Sequence, residues 1–190
     1  MQGDIVTYDY FGGLYINMTN RCDCHCVFCI RDQEASALGG LWLQEEPAKE
    51  AVLAEILAQD LGQYTEIVFC GYGEPTYRLD DILWLVDQLK ERFGRRLPPV
   101  RINTNGHANL ILGRDVVPEM KGRIDTLSIS LNAVTAAEYT ALCHPAQGEA
   151  AIRLCWTCPG GHPVCPPCGA YHCGQGQELG GDRDLQADRR

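Results

Sequence analysis

Cys22, Cys26 and Cys29 are spaced C-x3-C-x2-C within the segment Cys22-Asp23-Cys24-His25-Cys26-Val27-Phe28-Cys29. Three thiolates on one tight loop can hold three irons of a 4Fe–4S cluster and leave the fourth iron open to a non-protein ligand. Clusters that only carry electrons more often use four Cys. Cys24 adds a fourth thiol to the same loop, so Cys22, Cys24, Cys26 and Cys29 can also be read as a zinc site. Thiols two residues apart wrap one metal poorly, however, and the loop lacks the two separated knuckles usual for zinc. Buried packing cysteines are a third reading. The Asp and His inside the loop and Arg31 beside it argue against that one.

Three further motifs bring polar groups together. Gly71-Tyr72-Gly73-Glu74-Pro75 combines glycines, which let a backbone approach a ligand, with a carboxylate that can orient an ammonium. Taken alone it reads as a turn. So does Asn103-Thr104-Asn105-Gly106, because Asn-Gly favours positive φ. Ser128, Ser130 and Asn132 fall on one side of a strand at period two. Polar groups that face inward there need partners.

The elements that must position these motifs alternate. Leu14-Tyr15-Ile16-Asn17-Met18 is the first strand expected. Pro47 can open a helix, and Val52, Leu53, Ile56, Leu57 and Leu61 form one apolar stripe, closed by Gly62. Glu66–Cys70 reads as the second strand. Ile82, Val86, Leu89 and Phe93 form a second helical stripe that Gly94 ends. Val100–Asn103 is the third strand and Thr126–Leu131 the fourth. Thr135-Ala136-Ala137-Glu138 is a capping box, so a helix follows it. Four strand–helix units in series imply an α/β fold with a parallel sheet or partial barrel. Ligands in such folds sit at the carboxyl ends of the strands, which is where the motifs lie.

The cysteine segment from Asn20 to Asp32 closely resembles the radical S-adenosylmethionine (SAM) superfamily. The resemblance implies a partial (β/α) TIM-like barrel over residues 1–150, with the cluster on Cys22, Cys26 and Cys29. The open iron would chelate the methionine part of SAM, and Phe28 would lie near its adenine. Gly71, Tyr72, Gly73 and Glu74 correspond to the motif that meets the methionine ammonium, with Tyr72 in place of a glycine. Asn103 and Asn105 would face the cofactor, and Ser128, Ser130 and Asn132 the ribose and methionine carboxylate. The implied activity is reductive cleavage of SAM to a 5′-deoxyadenosyl radical, which abstracts hydrogen from a substrate the motifs do not name. A flavodoxin or ferredoxin would supply the electron. The segments 30–32, 69–75, 101–110 and 128–133 together look like the TatD family-associated radical SAM proteins, in which Tyr72 is normal. A TatD-type hydrolase is then a partner to consider.

Composition narrows the classes. The chain has 190 residues, 11 cysteines and a net charge of −9, which argues against a general polyanion binder, and no direct nucleic-acid signal is present. There is no run of about 18 apolar residues for a membrane span. Met1-Gln2-Gly3-Asp4 lacks the features of a secretion signal, so a reducing cytoplasm is expected, where cysteines serve metal or redox chemistry. Residues 151–190 change to Gly, Pro, Cys and Arg. The pairs Cys155/Cys158 and Cys165/Cys168, with His162, His172 and Cys173, read as zinc knuckles, as an auxiliary iron–sulfur site, or as the product of a shifted reading frame replacing the last strands. On the last reading the barrel stops after its fourth β/α unit, leaving the fourth strand as an edge. Without its substrate chemistry the chain would be a metal-binding module, and with a missing end an inactive homologue. His107 and His144 have a catalytic option but read first as surface or hydrogen-bonded histidines, Cys70 is expected to pack at the end of its strand, and Cys143 has the option of facing the site.

Overall fold

The computed structural model describes residues 5–32, 40–133, 135–151 and 170–172. Its centre is one six-stranded sheet in the order β1-β2-β3-β4-β5-β6. β1 (Thr7–Tyr10) and β2 (Gly13–Ile16) form an antiparallel hairpin. Both residues of its two-residue loop, Phe11 and Gly12, have positive φ, the pattern of a type I′ turn that matches strand twist. Phe11 is 89% exposed. This hairpin was not read from the sequence; the signal was Gly12-Gly13 beside the alternating Tyr8-Asp9-Tyr10.

β2, β3 (Ile67–Phe69), β4 (Val100–Thr104) and β5 (Thr126–Ile129) run parallel and in sequence order. This is the expected partial barrel, assembled from crossover units. The register sets one continuous lateral row across the sheet: Tyr8, Tyr15, Val68, Arg101, Thr126 and His172. The last of these belongs to β6 (Ala170–His172), which pairs antiparallel with β5. The fourth parallel strand is therefore not an edge, which corrects the expectation that the segment after residue 150 offers no strand. Cys155, Cys158, His162, Cys165, Cys168 and Cys173 lie outside the described residues. The zinc-knuckle, auxiliary-cluster and reading-frame interpretations fall there with them.

One face of the sheet carries the core. Leu14, Ile16, Ile67, Phe69, Val100 and Ile102 share a single buried cluster with Ile82, Leu85, Val86 and Leu89 of α2 (Leu79–Phe93). Each such side chain, fully buried, contributes about 1.5–3 kcal/mol. α2 carries Asp80 and Asp81 in its first turn and Lys90 and Arg92 in its last, matching the helix dipole, and ends at Gly94 with φ +55°. α1 (Lys49–Leu57) is shorter than its stripe predicted. Asp60 caps a separate 3₁₀ turn, Leu61–Gln63, by accepting from the Gly62 N–H at 3.1 Å, so Leu61 reaches the core from a new element. The third crossover holds two short helices, α3 (Ala108–Leu112) and α4 (Val117–Met120). α5 (Ala136–Cys143) starts at the expected capping box: Glu138 N donates to Thr135 Oγ1 at 3.2 Å. No helix among the described residues is long and apolar enough to cross a membrane.

Candidate functional site

The cysteine loop follows β2 and is stitched to the far end of α5. His25 N donates to Cys143 O at 3.0 Å, Val27 N to Leu142 O at 2.9 Å and Ala146 N to Asp23 O at 2.8 Å. These bonds fix the loop against the last strand–helix unit and divide its thiols. Cys22, Cys26 and Cys29 are half-buried, whereas Cys24 is only 2% exposed and packs with Tyr139 and Cys143. A turn, Cys29 N to Cys26 O at 3.0 Å, draws the second and third of the motif thiols together. Arg31 Nε donates to Cys29 Sγ at 3.3 Å.

The thiols are not electrostatically alike. A hydrogen bond from Cys24 draws the Cys22 thiol down to about 7 against the opposing effect of burial. The same bond, with burial, pushes Cys24 up, so the proton stays on the inner sulfur. Burial and the neighbouring Cys143 push Cys26 up to about 12. Metal coordination deprotonates a thiol outright, so this value describes the metal-free loop. Three half-buried thiols and a protonated, enclosed fourth fit a three-cysteine iron–sulfur cluster better than a four-cysteine zinc site.

Behind the loop lies a buried polar network. Glu74 caps the 3₁₀ turn Pro75–Arg78, its Oε1 accepting from Thr76 N at 3.1 Å, Thr76 Oγ1 at 2.7 Å and Thr104 Oγ1 at 2.7 Å. Its Oε2 accepts from Asn105 N at 2.7 Å. Burial raises the Glu74 pKa, and the bonds from Asn105, Thr76 and Thr104 oppose that rise. The carboxylate thus faces the protein's own strand ends, where the sequence had pointed it at an ammonium. Asn105 Nδ2 passes the chain on to Asp23 Oδ1 at 2.6 Å. Asp23 Oδ2 meets His107 Nδ1 at 2.7 Å, and His107 Nε2 meets Tyr139 Oη at 3.2 Å. Burial works against the Asp23 charge, but His107 and Asn105 hold its carboxyl below the ordinary value. His107 is hydrogen-bonded, one of the two readings the sequence allows, but it is buried rather than on the surface, and its partners make it a hub. Asp23, Thr76, Thr104 and Tyr139 were not singled out from sequence.

Asp23, Cys24 and His107 also place one ligand atom each within 4.8 Å of one another. Two of the three are already joined by a hydrogen bond, and Asn105 Nδ2 lies 3.6 Å from Cys24 Sγ. Hydrogen bonding satisfies this trio without an ion.

The motif glycines serve the chain itself. A Cβ on Gly73 would lie 2.3 Å from Thr19 O and 2.6 Å from Arg21 O, and one on Gly71 would lie 2.0 Å from Asn17 Oδ1. Glu74 N donates to Arg21 O at 2.7 Å across the same contact. The glycines let the β3 end press against the segment leading into the cysteines. Tyr72 is half-buried beside Trp42, with ring centroids 6.4 Å apart. Phe28 is 45% exposed at the loop surface. Asn103 and Ser128 are register partners on β4 and β5. The period-two alignment stops there: β5 ends at Ile129, and Leu131 N turns back to Ile129 O at 3.1 Å. Ser130 and Asn132 are exposed beyond the strand, with Asn132 Nδ2 donating to Cys143 Sγ at 3.4 Å. Cys143 itself is the buried last residue of α5 and packs against Cys24 and Tyr139. A cavity of about 720 Å³ lies at the opposite end of the sheet, between Lys90, Arg95, Pro98 and Asp125, away from all of these groups.

The chain is 29% identical over 150 residues to a GTP 3′,8-cyclase of Mycobacterium ulcerans, covering 74% of this chain and 38% of that protein. It is 32% identical over 99 residues to a probable RNA methyltransferase of Azoarcus sp., covering 52% of this chain and 24% of that protein. A GTP 3′,8-cyclase of Mycobacterium bovis is 27% identical over 154 residues, covering 77% and 40%. The chain therefore spans well under half the length of these curated relatives. No solved structure matches. The family model of the radical SAM superfamily matches residues 16–155, from the end of β2 through the cysteine loop and the strand ends to beyond α5. Motif, fold and family match agree, and the chain belongs to the radical SAM superfamily.

Proposed function

We propose that the chain is a radical SAM enzyme in which Cys22, Cys26 and Cys29 hold three irons of a 4Fe–4S cluster and the fourth iron takes SAM. The observation that carries this reading is the division of the loop thiols, with three half-buried and Cys24 enclosed. When bound, the cluster would supply one-electron reduction of SAM, which splits into methionine and a 5′-deoxyadenosyl radical able to take hydrogen from the substrate. The chain's own share is binding, orientation and exclusion of water. Phe28 supplies an aromatic face for the adenine. The backbone of Gly71, Tyr72 and Gly73 borders the methionine end. Asn103, Asn105, Ser128, Ser130 and Asn132 offer polar groups to its ribose and carboxylate. Glu74 acts through Asn105, whose backbone it holds.

GTP and RNA, which the relatives' names mention, both carry nucleobases. A substrate bearing a nucleobase is proposed here too. The motif with Tyr72 supports placement among the TatD family-associated members, with a TatD-type hydrolase as partner, flavodoxin or ferredoxin as electron donor, and the cytoplasm as compartment.

Anaerobic reconstitution with iron and sulfide tests the reading. The expected product is a brown protein that forms 5′-deoxyadenosine from SAM with dithionite, and Cys26→Ala abolishes both colour and product. Zinc bound without iron or sulfide would overturn it.

A further inference from the structure

The sheet has a second face, turned away from the α2 core. Period two places Tyr15, Val68, Arg101 and Asn103 on it, since Leu14, Ile16, Ile67, Ile102 and their neighbours fill the helical side. Arg101 lies in the lateral row that crosses all six strands. Its Nη2 donates to Glu66 Oε1 at 2.7 Å and to Tyr15 Oη at 3.1 Å. Among the described residues its Nε is buried with no partner, and so is Asn103 Oδ1, two residues further along the same face. Leaving a buried donor or acceptor unpaired is costly, and each such group calls for an explanation. Here one donor and one acceptor are stranded side by side.

The pair selects a chemistry. A phosphate or carboxylate can accept from Arg101 but gives nothing to Asn103, and an ammonium does the reverse. A carbonyl beside an N–H satisfies both. Alternate residues of a strand are about 6.6 Å apart, a gap that two hydrogen bonds of about 2.9 Å and one such edge can span. The neighbouring wall is aromatic: Tyr8 and Tyr15 have ring centroids 5.3 Å apart. The Tyr8 hydroxyl is committed to Cys70 O at 3.2 Å, which leaves the ring for contact.

We propose that Arg101 and Asn103 form the specificity subsite for the substrate's nucleobase, and that they select bases with a carbonyl next to a ring N–H, as in guanine and uracil. Arg101 Nε donates to the carbonyl, Asn103 Oδ1 accepts from the N–H, and Tyr8 and Tyr15 flank the ring. Asn103 then sits at the border between cofactor and substrate. The inference deepens the radical SAM reading and rests on it for the role of the bound base.

The test is calorimetric titration of the reconstituted full chain with guanosine, uridine, adenosine and 1-methylguanosine, which lacks the ring N–H. Guanosine and uridine are expected to bind about tenfold or more tightly than the other two, the discrimination that one unpaired buried group produces. Arg101→Lys keeps the charge for Glu66 but loses the planar Nε–H, and should abolish the preference. Equal binding of guanosine and 1-methylguanosine, an unchanged preference in Arg101→Lys, or no nucleoside binding would each overturn the subsite. If Arg101→Lys fails to fold, the nucleoside comparison on the unaltered chain still decides. In the same samples, the change that SAM makes to the reduced cluster's electron paramagnetic resonance spectrum reports on the radical SAM reading separately. Its presence without nucleoside preference sinks the subsite alone, and its absence sinks the parent reading.

Discussion

Asp23 Oδ2 and His107 Nδ1 lie 2.7 Å apart, with both side chains shut away from solvent. The Nδ1–H tautomer satisfies both ends: Asp23 accepts from Nδ1, and Nε2 accepts from the Tyr139 hydroxyl at 3.2 Å. The pair joins the cysteine loop to the β4 end and, through Tyr139, to α5. Tyr139→Phe leaves one nitrogen unpaired and should cost about 1–3 kcal/mol. His107→Ala takes from the buried Asp23 carboxylate one of its two side-chain donors and opens a cavity, and should cost about 2–5 kcal/mol. Urea unfolding of the metal-free protein measures both; equal, negligible losses would mean that the network does not hold the loop.

The glycines of the strand-end motif predict a sharp steric effect. Gly73→Ala drives a methyl into the Thr19 and Arg21 carbonyls, which are backbone and cannot swing aside. A loss of about 4 kcal/mol or more is expected. Gly62→Ala is the control: its nearest neighbour is the Asp60 carboxylate at 3.3 Å, a side chain that can yield. A Gly73→Ala protein as stable as Gly62→Ala would refute the packing role.

The four loop thiols should separate on substitution. Cys24→Ala removes a buried sulfur at about 1 kcal/mol of stability, in line with loss of a small core group, yet keeps its iron. Cys22→Ala, Cys26→Ala and Cys29→Ala should each lose most of it. Iron and sulfide content after anaerobic reconstitution reads this directly. Iron lost equally in all four variants would move Cys24 into the ligand set.

Glu46 gives a pH dependence. Partial burial works against its charge, but hydrogen bonds from Arg21 and Thr19 hold its carboxyl below the ordinary value of 4.5. Arg78 joins the group at 3.4 Å and also donates to Met18 O and Pro47 O. A depressed folded pKa stabilises above the unfolded value and loses that contribution as pH falls through the folded one. Melting temperature should therefore drop as pH falls below about 4.5, and Glu46→Gln should flatten that part of the curve. Curves of equal slope would show that the pair is screened by solvent.

The parallel core was legible because its signals are local and repeated. The α2 stripe, the Thr135 capping box and the apolar run at Ile67–Phe69 each announce themselves within a few residues. The cysteine spacing was legible for the same reason. Cys24 was not, because nothing in the segment says which thiol turns inward; contacts with Tyr139 and Cys143, more than a hundred residues away, decide that. Glu74 looked like a ligand group because a carboxylate can orient an ammonium and because its motif resembles one that does. Its four donors come from Thr76, Thr104 and Asn105, and only the assembled β3 and β4 ends bring them together. The inward alternation of Ser128, Ser130 and Asn132 failed where the backbone bends after Ile129, a turn no residue type there marks.

The β1–β2 hairpin has a consequence for how the chain reaches this sheet. It is a strand pair closed by two residues, and such hairpins form in roughly 1–10 μs. Each parallel neighbour must instead bring together segments separated by a whole crossover, from Leu14 to Ile67, then Ile67 to Val100, then Arg101 to Thr126. Loop closure makes these pairings slow. The hairpin is then the template on which the barrel grows strand by strand, and pulse-labelled hydrogen exchange should find Thr7–Ile16 amides protected before those of Val100–Thr104. Simultaneous protection would mean that the sheet condenses as a whole.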